Sequence, residues 1–354
     1  MRVSIAPFTV RKRFALTISR GTTAESTNLW LKVEHDGIEG WGEASPFSAG
    51  GPPQTTETIA RSLEPIVNLA DCWSPFDRQQ IELAAIEWKL PSAAKAALDT
   101  ALWDWIGKKA GLPLWQLWGL QRSRIVPTSV TVGIGSPEKA IERLQDWLKF
   151  VQVKAIKVKL GSPDGIDADR AMFEAIARES PPRLKFSVDA NGGWSLEEAI
   201  TMCDWLAGQK RVKYVEQPLP VVARAELREL YDRSPLPIFV DESCHTSADI
   251  PPLADRVHGI NIKLMKSGGL SEAMRMIHTA KACGLQVMFG CYSDSILANS
   301  ALAQLSPLAD YLDLDSHLNL RDDPFDGATM QRGCLLPNDL PGLGVQHRAT
   351  HSRS

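Results

Sequence analysis

The stretch Ala155-Ile156-Lys157-Val158-Lys159-Leu160 is a short apolar run carrying two lysines. Side chains alternate along a strand, so Lys157 and Lys159 share one face. A run this short between turn signals reads as a buried strand, not a helix. Working outward, seven similar runs flank it at 128–134, 184–189, 212–216, 237–241, 259–264, 286–290 and 310–315. Successive runs start roughly 22–30 residues apart, room for one strand and one helix each. That alternation predicts parallel strands with helical crossovers, and eight of them predict a closed ring. The expected fold class is α/β: a (β/α)8-type barrel, a modified TIM barrel, over residues 123–320.

The remainder reads as a second module. Residues 27–34 (TNLWLKVE) alternate as a strand, and 37–44 (GIEGWGEA) return after a turn. Residues 91–110 are Ala-rich with apolar repeats at Ala97, Leu98, Ala101, Leu102 and Trp105, a helix stopped by Gly111 and Pro113. Residues 1–122 therefore form an α+β capping domain, and the polar tail 321–354 is expected to return to it.

The chain has 354 residues, 44% apolar and 23% charged, with a formal net charge of −3. That is ordinary for a soluble globular protein. It offers no electrostatic footprint for nucleic acid. The N-terminus lacks a signal-peptide core, and no run of 18 apolar residues suggests a membrane span. Six scattered cysteines without C-x-x-C read as reduced thiols, so a cytoplasmic location is expected. Trp115 and Trp118 suggest buried contacts and a homo-oligomer.

In such a barrel the C-terminal strand ends converge on one mouth. After Lys157 and Lys159, the third run ends in Asp189, the fourth in Glu216 and the fifth in Asp241. The sixth carries Lys263 and Lys266, and the eighth Asp313 and Asp315. A K-x-K or a lone strand-end carboxylate is usually a solvated edge or a cap, but this combination on successive strands is specific. Three neighbouring carboxylates repel unless a cation sits among them. Oxygen ligands suit Mg2+, or Mn2+, better than zinc or copper. Runs two and six lie on opposite sides of an eight-strand ring, so lysines flank whatever binds between them. Removing a proton α to a carboxylate creates a doubly charged enediolate, which a divalent cation stabilises. A lysine crowded by other cations has its neutral form favoured and serves as base. Amines on both faces of one carbon permit epimerisation.

These motifs resemble the enolase superfamily in its muconate-lactonizing subgroup, and the resemblance spans nearly the whole chain, from G-W-G-E-A and A-L-W-D through the barrel. It implies Asp189, Glu216 and Asp241 as metal ligands. It implies Lys159 and Lys263 as the acid/base pair, with Lys157 in support and Lys266 ion-pairing nearby. Asn191 and Glu242 look like residues that orient the ligands. The D-x-D of Asp313 and Asp315 is similar to that of dipeptide epimerases; two same-facing carboxylates seat a substrate ammonium. The resemblance thus implies an L-Ala-Xaa-type dipeptide as substrate.

Gly290-Cys291-Tyr292-Ser293-Asp294-Ser295 resembles the substrate-lining loop, with Cys291 as pocket wall because no histidine is paired with it. Cys244 and His245 line a loop rather than form a dyad, and Thr131 faces the substrate. The segment 19–26 is expected to be a flexible loop over the mouth, with Arg20 set to meet an acidic side chain and Glu25 a cation. Competing readings are o-succinylbenzoate synthase, N-acylamino acid racemase or a muconate-type cycloisomerase, none needing an ammonium seat, and a non-catalytic metal-dependent binding protein.

Overall fold

The structure, a computed structural model, describes residues 1–49 and 51–348. Three antiparallel strands open the chain: β1 (Arg2–Ile18), β2 (Gly21–His35) and β3 (Ile38–Ala44). Asp36 and Gly37 turn β2 into β3 with φ of 51° and 73°, the twist that matches a two-residue hairpin. Helices α1 (Thr56–Leu69), α2 (Arg78–Glu87) and α3 (Ser92–Ala110) pack behind this sheet. Gly42 explains how closely α3 approaches: a Cβ there would run into the Ala97 carbonyl. The glycines of G-I-E-G-W-G and the alanines of α3 are thus two halves of one contact.

Eight parallel strands follow: β4 (Ser129–Val132), β5 (Ala155–Lys159), β6 (Lys185–Asp189), β7 (Val212–Glu216), β8 (Ile238–Val240), β9 (Gly259–Lys263), β10 (Gln286–Gly290) and β11 (Tyr311–Leu312). Each pairs with its sequence neighbours. A parallel bridge between Thr128 and Leu312 joins first to last, and Thr128 Oγ1 accepts from Leu314 N at 2.7 Å. The eight predicted strands are all present and form a nearly closed barrel.

One unit departs from the expected pattern. Between β8 and β9 the chain makes only 3-10 turns, Ser247–Asp249 and Pro251–Leu253, where an α-helix was expected. Consecutive prolines at 251 and 252 lack the N–H groups an α-helix interior needs.

The tail lies against the first sheet. Phe325–Asp326 pairs with Gln346–His347, Phe325 packs on Trp41 with ring centroids 5.5 Å apart, and Leu343 N donates to Asp104 Oδ1 at 2.7 Å. Trp115 and Trp118 are used within the chain, under the Arg122 guanidinium and against Trp103. No helix among the described residues is long and apolar enough to cross a membrane. All six cysteines are unpaired.

Candidate active site

The two-residue strand period stacks the barrel interior in layers. Tyr214, Phe239 and Met288 form a buried floor with Tyr311 packed against it. Two residues further along the same strands come Glu216, Asp241, Gly290 and Asp313. The apolar floor shuts water out from below and presents the charged layer at the mouth.

Lys157 is the hub. Its Nζ lies 2.8 Å from Glu216 Oε2, 2.8 Å from Asp313 Oδ2 and 3.2 Å from Asp189 Oδ2, with no exposed surface. Burial alone would strip its proton, but Asp313, Glu216 and Asp189 outweigh that and hold its pKa well above the ordinary lysine value. Lys159 Nζ meets Asp189 Oδ2 at 2.5 Å. Four strands away, Lys263 Nζ meets Asp241 Oδ2 at 2.7 Å, and Lys266 meets Asp241 Oδ1 at 2.6 Å. The structure therefore brings both candidate acid/base lysines and all three candidate ligands to one mouth.

The electrostatics follow. Burial pushes the Asp189 carboxyl up, but Lys159, Lys157 and Lys263 together hold it well below the usual range. Asp241 is held down against burial by Lys263 and Lys266. Burial and the nearby Asp189 charge raise Glu216 to about 7. Lys263 departs from the expectation of a favoured neutral form. Burial lowers it, yet the Asp241 carboxylate raises it well above normal. The adjacent anion, not the surrounding cations, dominates.

The supporting contacts include residues that local sequence did not single out. Asn261 Nδ2 donates to Glu216 Oε1 at 2.7 Å. Gln217, at a positive φ of 35°, accepts from Asp241 N at 2.9 Å and from Ser243 N at 3.2 Å. It ties the end of β7 to that of β8. Asn191 N donates to Asp189 Oδ1 at 2.9 Å, and Asn191 Nδ2 reaches Glu242 Oε1 at 3.3 Å.

On the eighth strand, Asp313 accepts from Ser129 Oγ at 2.6 Å, and Asp315 accepts from Thr131 N at 2.7 Å. Thr131 thus contributes through its backbone N–H, as well as through a hydroxyl 3.4 Å from Asp313. Burial and the Asp313 charge raise Asp315 to about 7. Cys291 Sγ donates to the Asp313 carbonyl at 3.2 Å, and burial pushes its thiol up to about 12. Such a thiol is inert wall material. Burial likewise raises the Cys244 thiol to about 12, and His245 Nε2 contacts the Glu242 carbonyl, so no Cys-His dyad forms.

The cap supplies the roof. The segment 19–26 is not a loop: only Ser19 and Arg20 turn, and β2 begins at Gly21. β-branched residues continue the ladder through Thr17 and Thr22, whose hydroxyls lie 2.8 Å apart. Glu25 sits exposed on β2 opposite Arg11. The tip still reaches the mouth: Arg20 Nη1 is 2.8 Å from Glu242 Oε1 and donates to the Asn191 carbonyl at 3.0 Å. Arg20 is therefore already paired to a nearly buried carboxylate. A cavity of about 420 Å³ opens here between Arg20, Gly161, Asn191 and Glu242. A second cleft of about 320 Å³, lined by α2, α3 and the helix Leu270–Ala282, lies apart from these residues. There Arg78 pairs with Asp99, and Arg275 with Glu82 and Glu272.

Below the roof, Glu43 of β3 accepts from Asn28, Ser295 and the Ala298 N–H. It caps the barrel helix Ile296–Leu305 from the other module.

The carboxylate set suits a hard divalent ion. All donors are oxygens, and Glu216 Oε2 and Asp241 Oδ2 are buried without a directed hydrogen bond even though ammonium groups lie within ion-pair distance. Among the described residues no three His, Cys, Asp or Glu side chains form a ready ion cage. Each carboxylate is turned toward a lysine.

The chain as a whole is similar to known proteins. Residues 2–119 match the mandelate racemase / muconate lactonizing enzyme N-terminal domain, and 139–350 match the enolase C-terminal domain-like family. The chain belongs to the enolase superfamily. Within it, the chain is 46% identical to a hydrophobic dipeptide epimerase of Flavobacteria bacterium (strain MS024-2A), covering 98% of each. It is 35% identical to the L-Ala-D/L-Glu epimerase of Bacteroides thetaiotaomicron, covering 98% of this chain and 88% of that one. Among solved structures, the dipeptide epimerase of Enterococcus faecalis complexed with Mg and L-Leu-L-Tyr superposes with a TM-score of 0.90 at 28% identity, covering 98% of this chain and 99% of that one.

Proposed function

We propose that this superfamily member is a Mg2+-dependent dipeptide epimerase that inverts the α-carbon beside the substrate carboxylate. The observation that carries the reading is the placement of Lys159 on β5 and Lys263 on β9, four strands apart in an eight-strand ring, with three carboxylates between them.

Asp189, Glu216 and Asp241 would hold the ion, which would offset the negative charge that develops on the substrate carboxylate. Every other part is the chain's own. Lys159 takes the α-proton on one face and Lys263 returns one on the other; in the reverse direction the roles exchange. Lys157 stays charged beneath them, and Asn261 and Gln217 keep Glu216 and Asp241 oriented. Asp313 and Asp315 seat the dipeptide ammonium. The apolar floor and the capping sheet exclude water.

The second residue of the dipeptide is neutral in this proposal. Arg20 spends its charge on Glu242, so that guanidinium is not free to meet an acidic side chain. The relative named a hydrophobic dipeptide epimerase fits the same class.

The test is incubation of Mg2+-loaded protein with L-Ala-Xaa dipeptides in deuterated water. Exchange of the α-proton and inversion of that centre are expected, fastest for apolar Xaa. Absence of both across a broad dipeptide library sinks the reading.

A further inference from the structure

β1 changes partner part-way along. It pairs with β2 from Arg2 to Arg11 and again from Leu16 to Ile18, and the ladder is interrupted between. There the strand crosses the rim of the barrel instead. Lys12 bridges Leu320, and Arg321 N donates to the Arg11 carbonyl at 3.0 Å. Phe14 N donates to Asn319 Oδ1 at 3.0 Å, and Ile134 N donates to the Thr17 carbonyl at 2.9 Å. Residues 319–321 follow β11 and residue 134 follows β4, so the crossing lies on the side of the mouth that carries Asp313 and Asp315.

Side chains alternate along the crossing. Arg11 and Arg13 are exposed, and Arg11 pairs with Asp322. Lys12 turns inward between them and is half-buried. Its charged neighbours are Asp315, Asp294 and Lys159, together with the Cys291 thiol. Burial lowers its pKa from the ordinary lysine value, against the pull of Cys291, Asp315 and Asp294. Both carboxylates already serve other donors. Asp294 accepts from Ser45 Oγ at 2.6 Å and from Tyr292 N at 3.1 Å, in a loop pinned to the cap by the Phe47–Tyr292 stack. Asp315 accepts from Thr131 N. Lys157, Lys159, Lys263 and Lys266 all have carboxylate partners at this mouth. The Lys12 ammonium has no ion-pair or hydrogen-bond partner among the described residues. A partly desolvated charge without a close partner is costly, and an anionic group on a ligand relieves that cost.

Covalent geometry decides which part of a dipeptide meets it. The ammonium and the side chain of the first residue leave the same carbon. A cation beside the ammonium seat is therefore beside that side chain. Cys291 and Asp294 follow β10 and Asp315 follows β11, which places Lys12 at that end of the mouth. Arg20, the other cation of the cap, sits with Asn191 and Glu242, beyond β6 and β8.

We propose that Lys12 is a specificity-determining residue that reads the charge of the dipeptide's first side chain, favouring an acidic one over its neutral isostere and disfavouring a basic one. The assignment rests on the dipeptide reading above and deepens it. Alanine, being uncharged, is admitted without gaining from Lys12.

The experiment measures kcat/KM for epimerisation of L-Glu-L-Leu, L-Gln-L-Leu and L-Lys-L-Leu by the Mg2+-loaded wild type, Lys12→Met and Lys12→Arg. Ratios are taken within each protein, so a general loss of activity cancels. In wild type L-Glu-L-Leu should exceed L-Gln-L-Leu by about three- to tenfold, the worth of one charge-assisted contact. Added salt should shrink that ratio. In Lys12→Met it should fall to one or below, because Asp315 and Asp294 remain, and L-Lys-L-Leu should gain on L-Gln-L-Leu. Lys12→Arg, which keeps the charge, should keep the preference. The wild-type ratio does not depend on how any variant folds. A wild-type ratio of one or less, or a ratio that survives in Lys12→Met, overturns the proposal while the dipeptide reading stands. If wild type exchanges no dipeptide at all, both fall together.

Discussion

Lys157 and Asp313 meet at 2.8 Å, an ion pair that joins β5 to the last strand of the ring behind β4. The same ammonium holds Glu216 and Asp189, so one side chain links the proposed ion ligands to the proposed ammonium seat.

Replacing that ammonium should cost stability as well as activity. Lys157→Met leaves three buried carboxylates facing one another. Removing one partner of a buried pair costs about 3–5 kcal/mol. Urea unfolding should show that loss; a variant as stable as wild type would mean that water reaches the cluster.

The two lysines should be separable by the hand of the substrate. Lys159→Ala and Lys263→Ala should each lose epimerisation by about 10²–10⁴-fold. Each should still exchange the α-proton of the epimer that presents it to the surviving lysine. Mass spectrometry of each pure epimer in deuterated water reads this directly. Loss of exchange from both epimers in either variant would contradict the two-base arrangement.

Arg20 and Glu242 should set the preference for charge. Glu242→Gln leaves the guanidinium without its partner at 2.8 Å. The ratio of kcat/KM for L-Ala-L-Glu over L-Ala-L-Leu should then rise by about tenfold, the worth of one charge-assisted hydrogen bond. An unchanged ratio would place the second side chain elsewhere.

Glu43 should make stability depend on pH. Burial, then the charge of Asp294, raises its carboxyl from 4.5 to about 8. Between those values the folded state keeps a proton that the unfolded chain has released, so stability falls as pH rises across that window. One such group contributes a slope of up to about 1.4 kcal/mol per pH unit. Glu43→Gln removes it, and the drop in Tm from pH 5 to pH 8 should shrink. A drop as steep as that of wild type would show that Glu43 is ionised throughout.

Much of this was legible before the fold was seen. Parallel barrel strands are covered on both faces and read as near-continuous apolar runs, which is why all eight stood out. The charged residues at their ends stood out against that background. β1 did not, because Arg11-Lys12-Arg13 interrupts any alternation, and its pairing is fixed only by β2 across the hairpin. The tip at Ser19 and Arg20 looked like a loop for the same reason: polar β-branched residues read as a turn until a partner strand is beside them. Arg20 was legible as a charge near the mouth but not as one already paired, since Glu242 lies 222 positions further along the chain. Gln217 and the Phe47–Tyr292 stack were equally hidden. Each depends on contacts between strands or modules that no local pattern encodes.

The barrel has one thin seam. Ser129 and Leu312 stand 183 residues apart in the chain and meet there, where the bridge from Thr128 to Leu312 joins the two ends of the sheet. During synthesis the ring stays open until its final segment leaves the ribosome, and only then does Lys157 gain Asp313. A nascent chain can arrange the earlier strands as they emerge, but the proposed ammonium seat arrives last. On that proposal catalytic competence is tied to near-complete translation: fragments that end before residue 313 would lack the proposed seat for a substrate ammonium.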